Sequence, residues 1–147
     1  MKKRIALIMM FFAGFFALQS CDEKKLDFDR LPSAAQAFIQ QYFPDATVTY
    51  AERDRDDGKK DYTVRLSDGT EIEFDENGDW TSVDCNFSQL PEGIIPAAAA
   101  EYIATNFPDA KPYKLDKEYG GYEVSIGGGK KLIFDSSWNF VRETVDD

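Results

Sequence analysis

The spacing of apolar positions changes character twice along the chain. Ala34, Ala35, Phe38, Ile39, Tyr42 and Phe43 recur at helical intervals and form one apolar stripe. Ser33 is the expected N-cap of that helix. Pro44 ends it, because proline lacks a donor and pushes Phe43 out of the α region. Four segments of alternating character follow, predicted as strands over 47–52, 61–66, 70–74 and 80–83. Between them stand Asp56-Asp57-Gly58, Ser67-Asp68-Gly69 and Glu76-Asn77-Gly78-Asp79. Such Asp/Asn-Gly turns are hairpin chemistry, so the pattern predicts a helix and then an antiparallel meander.

The pattern then repeats. A second helix is predicted over 97–107, with Ala100, Ile103, Ala104 and Phe107 as its stripe, and strands over 113–117, 122–126, 130–134 and 139–144. Tyr62-x-Val64-x-Leu66 matches Tyr122-x-Val124-x-Ile126, and Ile72-x-Phe74-Asp75 matches Leu132-x-Phe134-Asp135, both 60 residues apart. Phe43-Pro44-Asp45-Ala46 returns as Phe107-Pro108-Asp109-Ala110 after 64 residues, and Leu31-Pro32 as Leu90-Pro91 after 59. Self-similarity at this period is architectural. The expected units are 31–87 and 88–147, with 88–96 as the connection, and the predicted class is α+β.

Before the first unit lie two further segments. Residues 1–20 have the parts of a secretory signal: Lys2-Lys3-Arg4, an apolar run from Ile5 to Leu18, and Ser20 before Cys21. Leu18-Gln19-Ser20-Cys21 resembles the lipobox of bacterial lipoproteins. That resemblance implies that Cys21 becomes the acylated first residue of the mature chain, held by several acyl chains where one would be marginal. Residues 21–30 are polar and aperiodic and read as a tether.

Composition narrows the chemistry. Loss of the leader's three cations takes the net charge from −10 to −13, which opposes binding to nucleic acid. The chain has no histidine, which excludes Ser-His-Asp and Cys-His nucleophilic systems and imidazole metal sites. Cys85 stands beside Asp84 with no neighbouring cation in sequence and reads as a semi-buried thiol rather than a nucleophile.

Three local motifs fail on inspection. Asp54-Arg55-Asp56-Asp57-Gly58 and Asp75-Glu76-Asn77-Gly78-Asp79 carry glycine at the fifth and fourth positions, where an EF-hand loop needs it at the sixth. Gly127-Gly128-Gly129-Lys130 lacks phosphate-loop spacing and has no following helix. Glu71 and Glu73 share a strand face but no cleft that would separate their pKa values, so no catalytic pair is expected. No cofactor is expected either.

By alternation, the sheet face away from the core carries Thr63, Arg65, Glu71, Glu73, Glu123, Ser125 and Ile133. Trp80, Tyr113, Tyr119 and Trp138 fall near strand starts and turns, where rings can be partly exposed and where interfaces concentrate them. The candidate partner-binding set is therefore Trp80, Tyr113, Tyr119, Trp138, Arg65, Glu71, Glu73 and Glu123.

A duplicated helix plus four strands, with Leu31-Pro32, Phe43-Pro44-Asp45, Tyr62/Val64, Phe74-Asp75 and their second copies, resembles the PepSY-like, β-lactamase-inhibitor-like proteins of bacterial envelopes. The resemblance covers residues 31–147. It implies one curved antiparallel sheet with both helices on one face and the other face open, and no catalytic residue. A β-lactamase inhibitory protein of similar shape grips an enzyme with its concave sheet. The expected function is that of a non-catalytic lipoprotein, anchored in the periplasm or outer membrane, that binds a protein or peptide and modulates it. The alternative is an envelope binder of a small ligand or divalent cation, prompted by the negative charge.

Overall fold

The computed structural model describes residues 24–118 and 120–145. Cys21 and Tyr119 lie outside the described residues. A helix followed by four strands occurs twice: α1 (Ser33–Tyr42), β2 (Val48–Asp56), β3 (Lys59–Leu66), β4 (Glu71–Phe74) and β5 (Trp80–Asp84), then α2 (Ala97–Asn106), β6 (Lys114–Glu118), β7 (Gly121–Gly127), β8 (Lys130–Asp135) and β9 (Phe140–Val145). A two-residue strand, β1 (Lys24–Lys25), precedes them. All nine join one sheet in chain order, every neighbour antiparallel. Tight turns make that order the natural one within β2–β5 and within β6–β9, since each strand meets its sequence neighbour first, while α1 and α2 make the β1–β2 and β5–β6 connections.

The helices start differently from the sequence expectation. Pro32, not Ser33, occupies the first cap position, at φ −52° and ψ 144°, and no side chain caps the turn. Its carbonyl accepts the first helical bond, from Gln36 N at 3.1 Å. Pro96 does the same for α2 at φ −53° and ψ 145°, accepting from Ala100 N at 2.9 Å. The counterpart of Leu31-Pro32 is therefore Ile95-Pro96, 64 residues on, and not Leu90-Pro91. Leu90 instead anchors the connection, buried and donating its N–H to Pro112 O at 2.8 Å.

Ala35, Ile39 and Phe43 face the core from α1, and Ala99 and Ile103 from α2, with Phe107 half-buried beyond its end. Ala100 and Ala104, expected in the α2 stripe, are exposed. Four consecutive alanines carry no periodicity, so the phase of this helix is set by Ile103 and Phe107 alone.

The core lies between the helices and one sheet face. Val64, Ile72, Val83, Leu115, Val124 and Leu132 form a buried row straight across the sheet. Each such side chain contributes about 1.5–3 kcal/mol by leaving water. Phe38 of α1 meets Phe74 edge-on at 5.8 Å, and Tyr102 of α2 stacks on Phe140 at 5.0 Å, so both helices cover the same face. Cys85 is buried just past β5, where burial pushes its thiol pKa up and away from reactivity.

The segment expected to be a tether joins the fold from residue 24. Lys24 and Lys25 pair with Arg53 and Glu52, Leu26 N donates to Ala51 O at 2.9 Å, and Leu26 and Phe28 pack on the core. Leu26 and Phe28 are the reason: two apolar residues in a polar stretch suffice to dock it.

Candidate functional site

The sheet face opposite the helices has no layer over it among the described residues. Strand pairing sets its side chains in transverse rows. One reads Glu52, Thr63, Glu73, Ser82, Asp116, Glu123, Ile133, Arg142. The next reads Tyr50, Arg65, Glu71, Asp84, Lys114, Ser125, Lys131, Thr144. Arg65, Glu71, Glu73 and Glu123, the charged members of the expected set, are thus brought onto one surface, with Thr63 and Ile133 as alternation predicted; Ser125 stands in its predicted row between Lys114 and Lys131 but is buried there.

The charges on this surface hold one another. Arg65 Nε reaches Glu71 Oε2 at 2.8 Å, Lys131 Nζ reaches Glu123 Oε1 at 2.9 Å, and Lys114 Nζ reaches Asp116 Oδ2 at 3.5 Å. Ser82 Oγ donates to Asp116 Oδ1 at 2.6 Å. Tyr50 donates its hydroxyl to Glu52, and the Arg65 guanidinium lies 5.1 Å from the Tyr50 ring centre. Cross-strand pairs of this kind fix side-chain direction more than they add stability, since exposed ion pairs contribute at most about 1 kcal/mol.

Glu73 is the exception at the middle of the face. Among the described residues it has no salt bridge or hydrogen bond of its own. Partial burial raises its carboxyl pKa above the ordinary value, and the charges of Glu71 and Asp116 raise it further. The result is a broad, ordered, polar surface with one under-compensated acid near its centre. No three or more Cys, Asp or Glu side chains gather to hold a metal among the described residues. Asp75 and Asp135 are engaged in turns, each accepting two backbone N–H groups four residues or fewer ahead at 2.9–3.0 Å.

The expected aromatic members among the described residues, Trp80, Tyr113 and Trp138, do not rim this surface. Trp80 and Trp138 pack against the core on the helix-bearing side, around Tyr122: the Tyr122 ring is 6.0 Å from Trp80 and stacked at 3.9 Å on Trp138. Simple alternation puts Trp80 beside Ser82 and Asp84 on the open face. A β-bulge between the pairs Glu73–Ser82 and Phe74–Trp80 turns it over, leaving Thr81 as the extra residue. Tyr113 lies tilted against Phe87, ring centres 4.7 Å apart, in a groove bordered by the loop after α2. The aromatic ring on the open face is Tyr50, and carrying alternation across β2, β5, β6 and β8 would have found it with Ser82, Asp84, Lys114, Asp116 and Lys131.

A family model described as "Putative beta-lactamase-inhibitor-like, PepSY-like" matches residues 14–67 and again 60–142. The chain belongs to this PepSY-like family. Among solved structures, the PepSY-like chain is similar to a Bacteroides vulgatus protein of the DUF2874 family described as "putative periplasmic", at 36% identity and a TM-score of 0.78, covering 86% of this chain and 99% of that one. It is similar at 37% identity, also with a TM-score of 0.78, to a Bacteroides thetaiotaomicron protein described as "putative calcium-regulated periplasmic", covering 83% and 96%. A second B. vulgatus protein, described as a "putative periplasmic protein of unknown function", matches at 30% identity and a TM-score of 0.78, over 83% and 98%. No curated protein matches the sequence. None of these descriptions names a catalytic family.

Proposed function

We propose that this PepSY-like protein is a non-catalytic binding protein of the bacterial envelope that holds a protein or peptide partner on its open sheet face. One observation carries the reading: a sheet of nine strands presents an uncovered face whose side chains are ordered by one another. Such a surface is pre-organised, which lowers the cost of association. The periplasmic description of three similar structures supports a periplasmic location, and Cys21 would supply the lipid anchor. The family description points to an enzyme as the partner.

Photo-crosslinking in intact cells tests this. A crosslinking residue at Thr63 or Ser82 should trap one protein repeatedly, identified by mass spectrometry, while one at Glu101 on the outer side of α2 should not. Equal capture from both sides, or none from the open face, removes the proposal.

Regulation by a divalent cation is the second reading, favoured by the calcium-regulated description of the B. thetaiotaomicron relative. Calorimetric titration with calcium decides it. Absence of both heat and a melting shift disposes of it, because a ligand that binds only the folded state must raise the melting temperature.

A further inference from the structure

Residues of the two halves that occupy matching places have different surroundings behind the helices. In the first half, the loop Phe43-Pro44-Asp45-Ala46 and the β3–β4 turn form a seat, and the connection after β5 lies against it through Cys85, Ser88, Gln89 and Pro91. In the second half, the matching loop Phe107-Pro108-Asp109-Ala110 and the β7–β8 turn border an open groove of about 520 Å3. No described residue after β8 lines it. Val145, which matches Cys85, is 59% exposed, whereas Cys85 is 3% exposed.

The connection turns one side chain toward that groove. Asn86 and Phe87 stand at φ 51° and 67°, in a turn closed by Ser88 N to Cys85 O at 3.0 Å. Asparagine tolerates the left-handed region, but phenylalanine pays a steric cost there. What the strained turn achieves is to project Phe87, 78% exposed, onto Tyr113 at the mouth of the groove. Strain of this kind persists where it serves a site.

Charge differs between the two seats as well. Thr47, Asp68 and Thr70 in the first half are matched by Lys111, Gly128 and Lys130 in the second. Two cations are gained and one anion lost, in a chain whose net charge is −10. Asp109 is matched by Asp45 and leaves that difference unchanged. Lys130 pairs with Glu143 at 3.4 Å, while the Lys111 ammonium has no partner among the described residues.

We propose that this groove is a second docking site, which takes an extended acidic segment of a partner protein, laid as the connection is laid in the first half, with an apolar side chain against Phe87 and a carboxylate at Lys111. The surface is separate from the open sheet face. Two short synthetic peptides, one alternating glutamate with leucine and the other alternating lysine with leucine, test it by amide chemical-shift mapping on the isotope-labelled protein. The glutamate peptide should move the signals of Lys111, Tyr113 and Gly128, and the lysine peptide should leave them in place. Lys111→Glu should weaken the glutamate peptide about tenfold or more. Phe87→Gly should weaken it too while the melting temperature holds or rises, since glycine is at ease at that φ. Shifts confined to Thr63 and Ser82 would sink the groove and leave the open-face reading standing. Equal response to both peptides, response to neither, or indifference to Lys111→Glu would overturn the proposal.

Discussion

Strands β5 and β9 stand at matching places in the two halves and differ at the position that faces the helices. In β5 it is Val83, fully buried between Ile72 and Leu115. In β9 it is Glu143, opposite Leu132 and paired with Lys130 at 3.4 Å. The difference follows from neighbours. β5 has β6 beyond it, whereas β9 is last in the sheet order. An inward-pointing charge on an edge strand opposes the addition of a further strand. The same fold element thus carries opposite residue chemistry depending on whether it lies inside the sheet or ends it.

The turns before these strands diverge in a related way. Gly78 stands at φ 84°, and a Cβ there would come within 2.7 Å of Pro32 Cβ and 2.9 Å of Ala35 N. Its counterpart Trp138 stands at φ 63° and stacks on Tyr122 at 3.9 Å. One turn is thinned so that α1 can rest on it, and the other carries a large ring that packs on Tyr122 and Phe134.

Exchanging these residues breaks the comparison in graded steps. Val83→Glu places an unpaired charge in the core and should destabilise the protein by at least about 3 kcal/mol in urea titration, or prevent folding. Gly78→Ala combines a forbidden backbone with a clash against a helix and should cost about 2 kcal/mol or more. Trp138→Gly loses the stack but relieves its backbone, so about 1 kcal/mol or less is expected from the same measurement. Glu143→Val should change monomer stability by less than about 1 kcal/mol. Its main effect should be concentration-dependent association, seen by sedimentation, because the edge loses its charge.

The smallest effect concerns Glu73. Its pKa is raised in the folded state, so the fold binds that proton more tightly than the unfolded chain does. Stability therefore falls as pH rises through the window above the ordinary carboxylate value, and levels off once the group has ionised. Glu73→Gln should abolish that fall and leave the variant more stable on the alkaline side by about a few tenths of a kcal/mol, a figure kept small because solvent screens a group that is only partly buried. Thermal melts at several pH values show whether the two curves diverge in that direction.

Much of the architecture was legible in the sequence because strand alternation and Gly-containing turns are local signals. The tract 61–66 and its counterpart 122–126 reported their strands directly, and the open-face charges followed from the same alternation. Three features were not local. The bulge that turns Trp80 inward depends on pairing with β4, which alternation within one strand cannot see. The phase of α2 is hidden by its alanines. The match of Pro96 with Pro32 is masked by Leu90-Pro91, which copies the dipeptide but belongs to the connection. The groove at Phe87 was out of reach for a further reason: it depends on a difference between the described surroundings of two matching loops, which no single stretch of sequence displays.

The pairing of Lys24 and Lys25 with β2 also bears on how the protein sits in its compartment. If Cys21 is the acylated residue, only Asp22 and Glu23 separate it from the sheet, three residue steps that span at most about 11 Å when fully extended. So short a leash would leave the β1–β2 margin pressed close to the lipid headgroups. Partners would then have to approach from the far margin, where Glu143 guards the last strand.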